Sequence, residues 1–318
     1  MLWQQARDAF GQERVFERAK ANALSALVGF GRNTVSGMLM ASGRQFEDWT
    51  ADYRLFSCSR FDADKLFGAV RGAVLKQLDP TQPLVVAMDD SLLRKTGTKI
   101  PGVGYRRDPL SPPFHVNFVR GQRFLQLSAA MPRGQTACSA RMVPIDFTQC
   151  PTPKKPRKDA PDEVWDMYRQ EKKAATISLK GVARLHALRT DLNCDPSGKE
   201  RMVIATVDGT FTNATVLKHL PPQVALIGRI RKDAKLYWLP KPDAAALRGR
   251  KPDYGEQAPT PERLRQDDSI PWQKIQAVAS GKEHTFHVKS IGPLKWRKAG
   301  AKQNLRLVVI RPLRYRLS

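Results

Sequence analysis

Cysteine is scarce in this chain: four residues, Cys58, Cys138, Cys150 and Cys194, are scattered through 318 positions without a C-x-x-C pair. That spacing argues against a structural zinc site or a disulfide framework and leaves buried free thiols as the better reading. No run of about 18 apolar residues occurs, which removes a membrane-spanning helix. The amino end carries Arg7, Asp8, Glu13 and Arg14, unlike a signal peptide. A soluble, intracellular protein with no membrane partner is expected. No G-x-x-x-x-G-K-[ST] loop occurs, so no nucleotide cofactor and no ATP-driven chemistry are expected. The five histidines offer Ser91 no base partner by spacing, and His284 and His287, three apart in a presumed strand, point to opposite faces. Acid is short as well. With 30 Asp+Glu against 54 Lys+Arg, the formal net charge is +24. A surface so basic gains affinity for polyanions by releasing their condensed counterions and by steering encounter. No aromatic stacking platform of the RNA-recognition-motif kind is visible, which places RNA behind DNA as the partner.

Against that basic background stand two apolar runs closed by acids: Leu84-Val85-Val86-Ala87-Met88-Asp89-Asp90-Ser91 and Met202-Val203-Ile204-Ala205-Thr206-Val207-Asp208-Gly209. Each reads as a buried strand delivering a carboxylate to its carboxyl end. Two strands of one sheet can bring Asp89 and Asp208 together, and hard oxygen ligands of that kind hold divalent cations. In so basic a chain, a phosphodiester is the natural substrate of such a cation. The bland alternative is that an Asp after a strand only forms a turn or caps a helix. Asp90 reads as a turn residue or as support for Asp89, and the sequence alone does not separate the two neighbours.

A chain of this length, 41% hydrophobic, can bury a large core in two or three domains. Residues 1–80 carry helical periodicity. Within them, Ala23 to Val28, the break at Gly29 to Arg32, and Asn33 to Met40 read as helix, turn, helix. A second helix opening with Arg32, Asn33, Thr34 and Ser36 suits a major groove; equally, Asn33 or Thr34 is a good cap for one of two ordinary packed helices. Residues 81–232 alternate strands and helices, the mark of an α/β domain. They contain a basic loop with Lys95, then Arg106 and Arg107, and two strands at Phe114 to Val119 and Arg123 to Met131 joined by a hairpin at Gly121-Gln122. Lys95, Arg106 and Arg107 suit phosphate contacts or a solvated loop. Lys154, Lys155, Arg157 and Lys158 lie in a proline-rich linker, and Pro161, placed at the first helical position, opens a long helix toward Leu188. Residues 233–304, punctuated by proline, read as a β-rich insertion, and 305–318 as a strand returning to the core sheet.

Asp89-Asp90-Ser91 with Lys95 and Gly97, the stretch Asn117 to Phe124, Val207-Asp208-Gly209, Tyr254-Gly255-Glu256 and Ser269-Ile270-Pro271-Trp272 together resemble a DDE transposase of bacterial insertion sequences, over nearly the whole chain. The resemblance implies a ribonuclease H-like mixed-sheet core (fold class α/β) interrupted by a β-rich insertion, with an amino-terminal helical region that helps bind element ends. It implies Mg²⁺, with Mn²⁺ as substitute, held by Asp89 as first acid and Asp208 as second. The implied partners are double-stranded DNA, as terminal repeats and target, and a second copy in a homodimer on that DNA. The implied location is the cytoplasm of a bacterium, at the nucleoid. In two-metal phosphoryl transfer the ions stand roughly 3.5 to 4 Å apart; by analogy Asp89 bridges them, Asp208 completes one shell and a Glu on a later helix completes the other. That third acid is not found: no Glu follows Glu283, which lies in the insertion, and the sequence closes on Arg314-Tyr315-Arg316-Leu317-Ser318. The expectation is a polypeptide that stops before its catalytic helix and is inactive alone. The other reading is a DNA-binding protein that occupies element ends and inhibits transposition.

Overall fold

The computed structural model describes residues 2–97, 99–108, 110–112, 114–132, 140–241, 252–279 and 282–311. Cys138, Thr98 of the basic loop, Pro109, Pro242, Gly281 and the closing residues 314–318 lie outside them. The chain divides into two compact units, Met1–Asp79 and Pro80–Ser318.

The first unit consists of α1 (Leu2–Gln5), α2 (Glu13–Val28), α3 (Val35–Ala41), α4 (Thr50–Ser57) and α5 (Ala63–Gln77). Side-chain caps set where helices begin, because the first N–H groups of a helix have no partner inside it. Thr34 Oγ1 accepts from the Gly37 amide at 3.0 Å, and Asp62 Oδ1 accepts from the amides of Asp64 and Lys65 at 2.9 and 3.2 Å. The extended backbone of Thr34 starts α3 later than the periodicity predicts. Arg32 and Asn33 therefore precede the helix and are exposed, while Ser36 is half-buried in its first turn. Ala9, Phe10 and Phe16 form an apolar cluster, with the two rings 5.6 Å apart.

The unit also has a buried ionic centre. Asp52, fully buried, accepts from Asn22 Nδ2 at 2.8 Å and from both Arg44 amino nitrogens at 3.3 and 3.2 Å, with Arg18 at 3.5 Å. A buried carboxylate is tolerable only with partners of this kind.

In the second unit, β1 (Leu84–Arg94), β2 (Gly104–Arg107), β3 (Phe118–Pro132), β4 (Ala140–Gln149), β5 (Val203–Val207) and β6 (Val224–Gly228) form one mixed sheet. β1 lies between antiparallel β3 and parallel β5; β6 extends the parallel side, and β2 and β4 both pair with β3. One face is covered by α7 (Ile177–Cys194), which buries Val182, Leu185, Leu188 and Leu192. Alternation along the strands buries Leu84, Val86 and Met88 of β1, Leu125 and Leu127 of β3, and Val203 and Ala205 of β5. α8 (Ala214–Lys218), capped by Asn213, joins β5 to β6.

Two expectations fail inside this unit. The hairpin at Gly121-Gln122 does not form: β3 runs unbroken through both residues. Gly121 is there for close approach, since a Cβ would lie 2.6 Å from the Leu93 carbonyl oxygen of β1. The long helix is two helices, α6 (Asp162–Ala174) and α7, broken at Ala175-Thr176, and Pro161 is the residue before α6 rather than its first. α6 buries none of its residues whereas α7 lies on the sheet, so the two segments meet different surroundings.

β7 (Tyr237–Trp238), α9 (Pro261–Gln266), β8 (Gln273–Ala279), β9 (Lys282–Trp296) and β10 (Gly300–Ile310) follow. The four strands make a second sheet over a core of Leu236, Ala258, Leu264, Leu294 and Leu307. Residues 305–310 were expected in the core sheet; instead Leu307 to Ile310 pair with Ile291 to Val288 of β9. Inside this region Lys289, 1% exposed, donates to the Asp267 carbonyl at 2.5 Å and lies 4.6 Å from the Trp272 ring centre. Arg297 stacks on Tyr237 at 4.2 Å and on Tyr254 at 5.6 Å.

Replacing Asp52 by Ala removes the shared acceptor of Asn22 and Arg44. It is expected to destabilise the helical unit by about 2–3 kcal/mol, a value moderated because the arginines reach solvent. Amide hydrogen exchange should accelerate across α2 and α4; unchanged protection there would show that the ionic centre contributes little.

Candidate active site

The paired part of β1 and β5 ends at Met88 and Val207, which face each other in parallel register. The next residue on each strand is an aspartate. Directly opposed residues of neighbouring strands point to the same side, and strands lie about 4.8 Å apart. Asp89 and Asp208 thus follow one register position on adjacent strands, and both are exposed; Asp89 lies on the face opposite α7, whereas Asp208 stands just past the end of β5. Asp89 is not at a strand end, as the sequence implied; β1 continues to Arg94, held by β3, and Asp89 faces Gln126.

The local bonding differs between the two acids. Asp89 Oδ1 accepts from the Asp90 amide at 2.8 Å. Asp208 organises the turn after β5: Oδ1 accepts from the amides of Thr210 and Phe211 at 2.9 and 3.3 Å, and Oδ2 from the Thr210 hydroxyl at 2.9 Å. Its carbonyl accepts from the Thr212 hydroxyl at 2.8 Å. Phe211, fully buried, anchors that turn beneath the sheet. A carboxylate has roughly four acceptor directions, so these bonds orient Asp208 without using all of its lone pairs. Gly181 of α7 lets the assembly close: a Cβ there would lie 3.1 Å from both Met88 Sδ and Phe211 Cε1, one residue before Asp89 and three after Asp208.

Asp90 is turned away by the pleat. Its carboxylate accepts from Arg123 Nε at 2.7 Å on the α7 face, so it supports the sheet interior rather than Asp89. The basic residues sort by the same alternation. Arg107 is exposed on the Asp89 face, whereas Arg106 faces the other way and donates to the Cys150 carbonyl at 3.3 Å. Burial, and then the neighbouring Arg123, hold the Arg106 guanidinium below its ordinary pKa. Arg106 is accordingly corrected from a phosphate contact to a structural cation. Lys95 is half-buried at the end of β1, its amide bonded to the Arg120 carbonyl. Lys154, Lys155, Arg157 and Lys158 are exposed, with Lys155 lying 5.8 Å from the Trp165 ring centre.

Among the described residues no group of three or more His, Cys, Asp or Glu side chains comes together in a way that could hold a metal ion. Glu283 stands on β9 opposite Val278, in the second sheet. Among the same residues no helix is long and apolar enough to cross a membrane.

A mixed sheet with a long antiparallel β1–β3–β4 side, two parallel strands β5 and β6, and α7 packed across one face is a ribonuclease H-like α/β fold. The chain belongs to the DDE superfamily endonuclease family, whose profile matches residues 8–299. Members of that superfamily act on DNA and generally use divalent metals. Among curated proteins none matches the chain.

Gly181→Val should push Met88 and Phe211 apart and destabilise the second unit by about 1–3 kcal/mol. The same substitution at exposed Ala183 should cost about 0.5 kcal/mol or less. Thermal denaturation of both variants separates the cases, and equal losses would show that the close contact is not the cause.

Proposed function

We propose that this protein is of the transposase class, whose reaction is hydrolysis of DNA phosphodiesters at the ends of an insertion sequence and transfer of the freed strand to target DNA, with Asp89 and Asp208 as two acids of a site whose third acid is not found among the described residues. The observation that carries the reading is the shared register position of Asp89 and Asp208. The two carboxylates fit Mg²⁺, or Mn²⁺ in its place, through hard oxygens. Such a cation, when bound, would stabilise charge on the attacking and leaving oxygens. The chain's own residues bind and orient: Asp89 and Asp208 hold the cation, Thr210 and the Phe211 amide fix the Asp208 rotamer, and Arg107 with Lys154, Lys155, Arg157 and Lys158 neutralises phosphates. Arg32, Asn33, Thr34 and Ser36 are the residues proposed to meet element-end DNA, supported by the exposure of Arg32 and Asn33 ahead of α3. A homodimer on DNA belongs to the same reading.

One observation favours a second reading, a DNA-binding protein that occupies element ends and inhibits transposition. Both carboxylate oxygens of Asp208 already accept hydrogen bonds from its own turn, as in a purely structural Asx turn.

Nicking of element-end DNA with Mg²⁺ or Mn²⁺ decides between them. The transposase reading expects cleavage that falls about a thousandfold or more in Asp89→Ala and in Asp208→Ala, because several kcal/mol of charge stabilisation is removed, while DNA affinity changes little. Tight, selective binding without cleavage, indifferent to both substitutions, selects the inhibitor. Salt titration tests the proposed phosphate partners. Replacing Lys154, Lys155, Arg157 and Lys158 together by Ala should lower the slope of log affinity against log salt by about 0.9 for each phosphate that is no longer neutralised. An unchanged slope would remove that segment from the interface.

A further inference from the structure

Beyond Asp89 the sheet continues as a two-sided projection. β1 runs on to Arg94, β3 begins at Phe118, and β2 pairs with the start of β3, setting Tyr105 opposite Arg120 and Arg107 opposite Phe118. Opposed residues share a face, as do alternate residues along a strand. Tyr105, Arg107, Phe118 and Arg120 therefore share one face, where two rings flank the open guanidinium group of Arg107. Following β3 inward through Gln122 and Phe124 to Gln126, the register with β1 passes Leu93 and Ser91 and reaches Asp89. This patch and Asp89 stand on one face. At about 3.4 Å per residue, the rings begin roughly 20 Å from the aspartate.

The rings are open to solvent: Tyr105 is 76% exposed and Phe118 66%. Arg120, half-buried, donates through Nη1 to the carbonyls of Thr96 and Gly97 at 2.8 and 2.7 Å, so its guanidinium is engaged by the loop after β1. Arg107 is exposed next to Phe118. Flat apolar faces beside the exposed Arg107 match a nucleic-acid strand, whose bases stack on rings while a phosphate meets the guanidinium group. A closed duplex hides its base faces, so the matching partner is DNA with unpaired bases.

We propose that the β2–β3 projection is a stacking platform for unpaired DNA bases, leading a melted strand along the sheet to Asp89. The assignment rests on reading Asp89 and Asp208 as the cleavage site, and it adds the state of the substrate: locally unpaired beside the scissile bond. The sequence alone hides it, because Tyr105 and Phe118 belong to separate strands and form no contiguous aromatic motif.

The test uses the full chain without added metal, so that binding is read apart from cleavage. The probes are one oligonucleotide duplex and the same duplex with an unpaired end carrying 2-aminopurine. The frayed probe should bind more tightly and its fluorescence should be quenched on binding. Tyr105→Ala and Phe118→Ala should each weaken frayed-probe binding about tenfold and relieve the quenching, leaving duplex affinity within about twofold. Tyr105→Phe should behave as the parent. Tyr105→Leu and Phe118→Leu, which keep bulk without a π face, should match the alanine variants, and unchanged thermal denaturation excludes unfolding. Equal weakening on both probes, or none on either, overturns the platform. So does a change in solution mass with quenching retained, which would mean that the rings cover a second copy. Cleavage by the parent chain with no quenching sinks the platform alone; quenching as expected with no cleavage sinks the transposase reading and leaves the platform standing.

Discussion

The parallel ladder between β1 and β5 is the constraint on which the site depends. It stops at Met88 and Val207 because β5 gives way to the turn organised by Asp208, whereas β1 is carried onward by β3. An aspartate therefore follows the same rung on both strands. The ladder is fixed from beneath: Leu84, Val86, Met88, Val203 and Ala205 are buried against the α7 side, and a one-residue slip would send that set to the opposite face. Gly181 brings α7 close enough to touch Met88 and Phe211 together, so apolar packing beneath the ladder holds the segments that carry Asp89 and Asp208.

The large positive charge is divided between two uses. Part of it works inside the fold, where guanidinium and ammonium groups complete hydrogen bonding. Arg189 donates to the carbonyls of Gly198, Lys199 and Arg201, Arg184 pairs with Asp146, Arg123 with Asp90, and Lys289 caps the end of α9 over Trp272. Buried cations persist only with such partners. The remainder, including Arg107 and the Lys154 to Lys158 segment, is exposed and is the part that polyanion binding can draw on.

Legibility followed the range of the interaction concerned. The helical character of residues 1–80, the strands that lead into Asp89 and Asp208, and the cap at Thr34 are written in local periodicity and side-chain chemistry. Local signals misled where a distant neighbour decided. Gly121 resembles a turn residue, but it lies in mid-strand because the Leu93 carbonyl leaves no room for a Cβ. Arg106 and Arg107 are adjacent and alike in sequence, yet the pleat sends one to Cys150 and the other to solvent. Asp89 and Asp90 are separated in the same way.

The order of residues by itself determined the hydrophobic runs, their terminal acids and the excess of base, because these depend on composition and on periods of two and 3.6. Which acids share a rung, which arginines are consumed internally, why β10 joins β9 rather than the core sheet, and how Tyr105 and Phe118 come onto the face of Asp89 were decided only by tertiary structure. Strand pairing joins residues remote in the chain, and a single residue of register exchanges one face for the other.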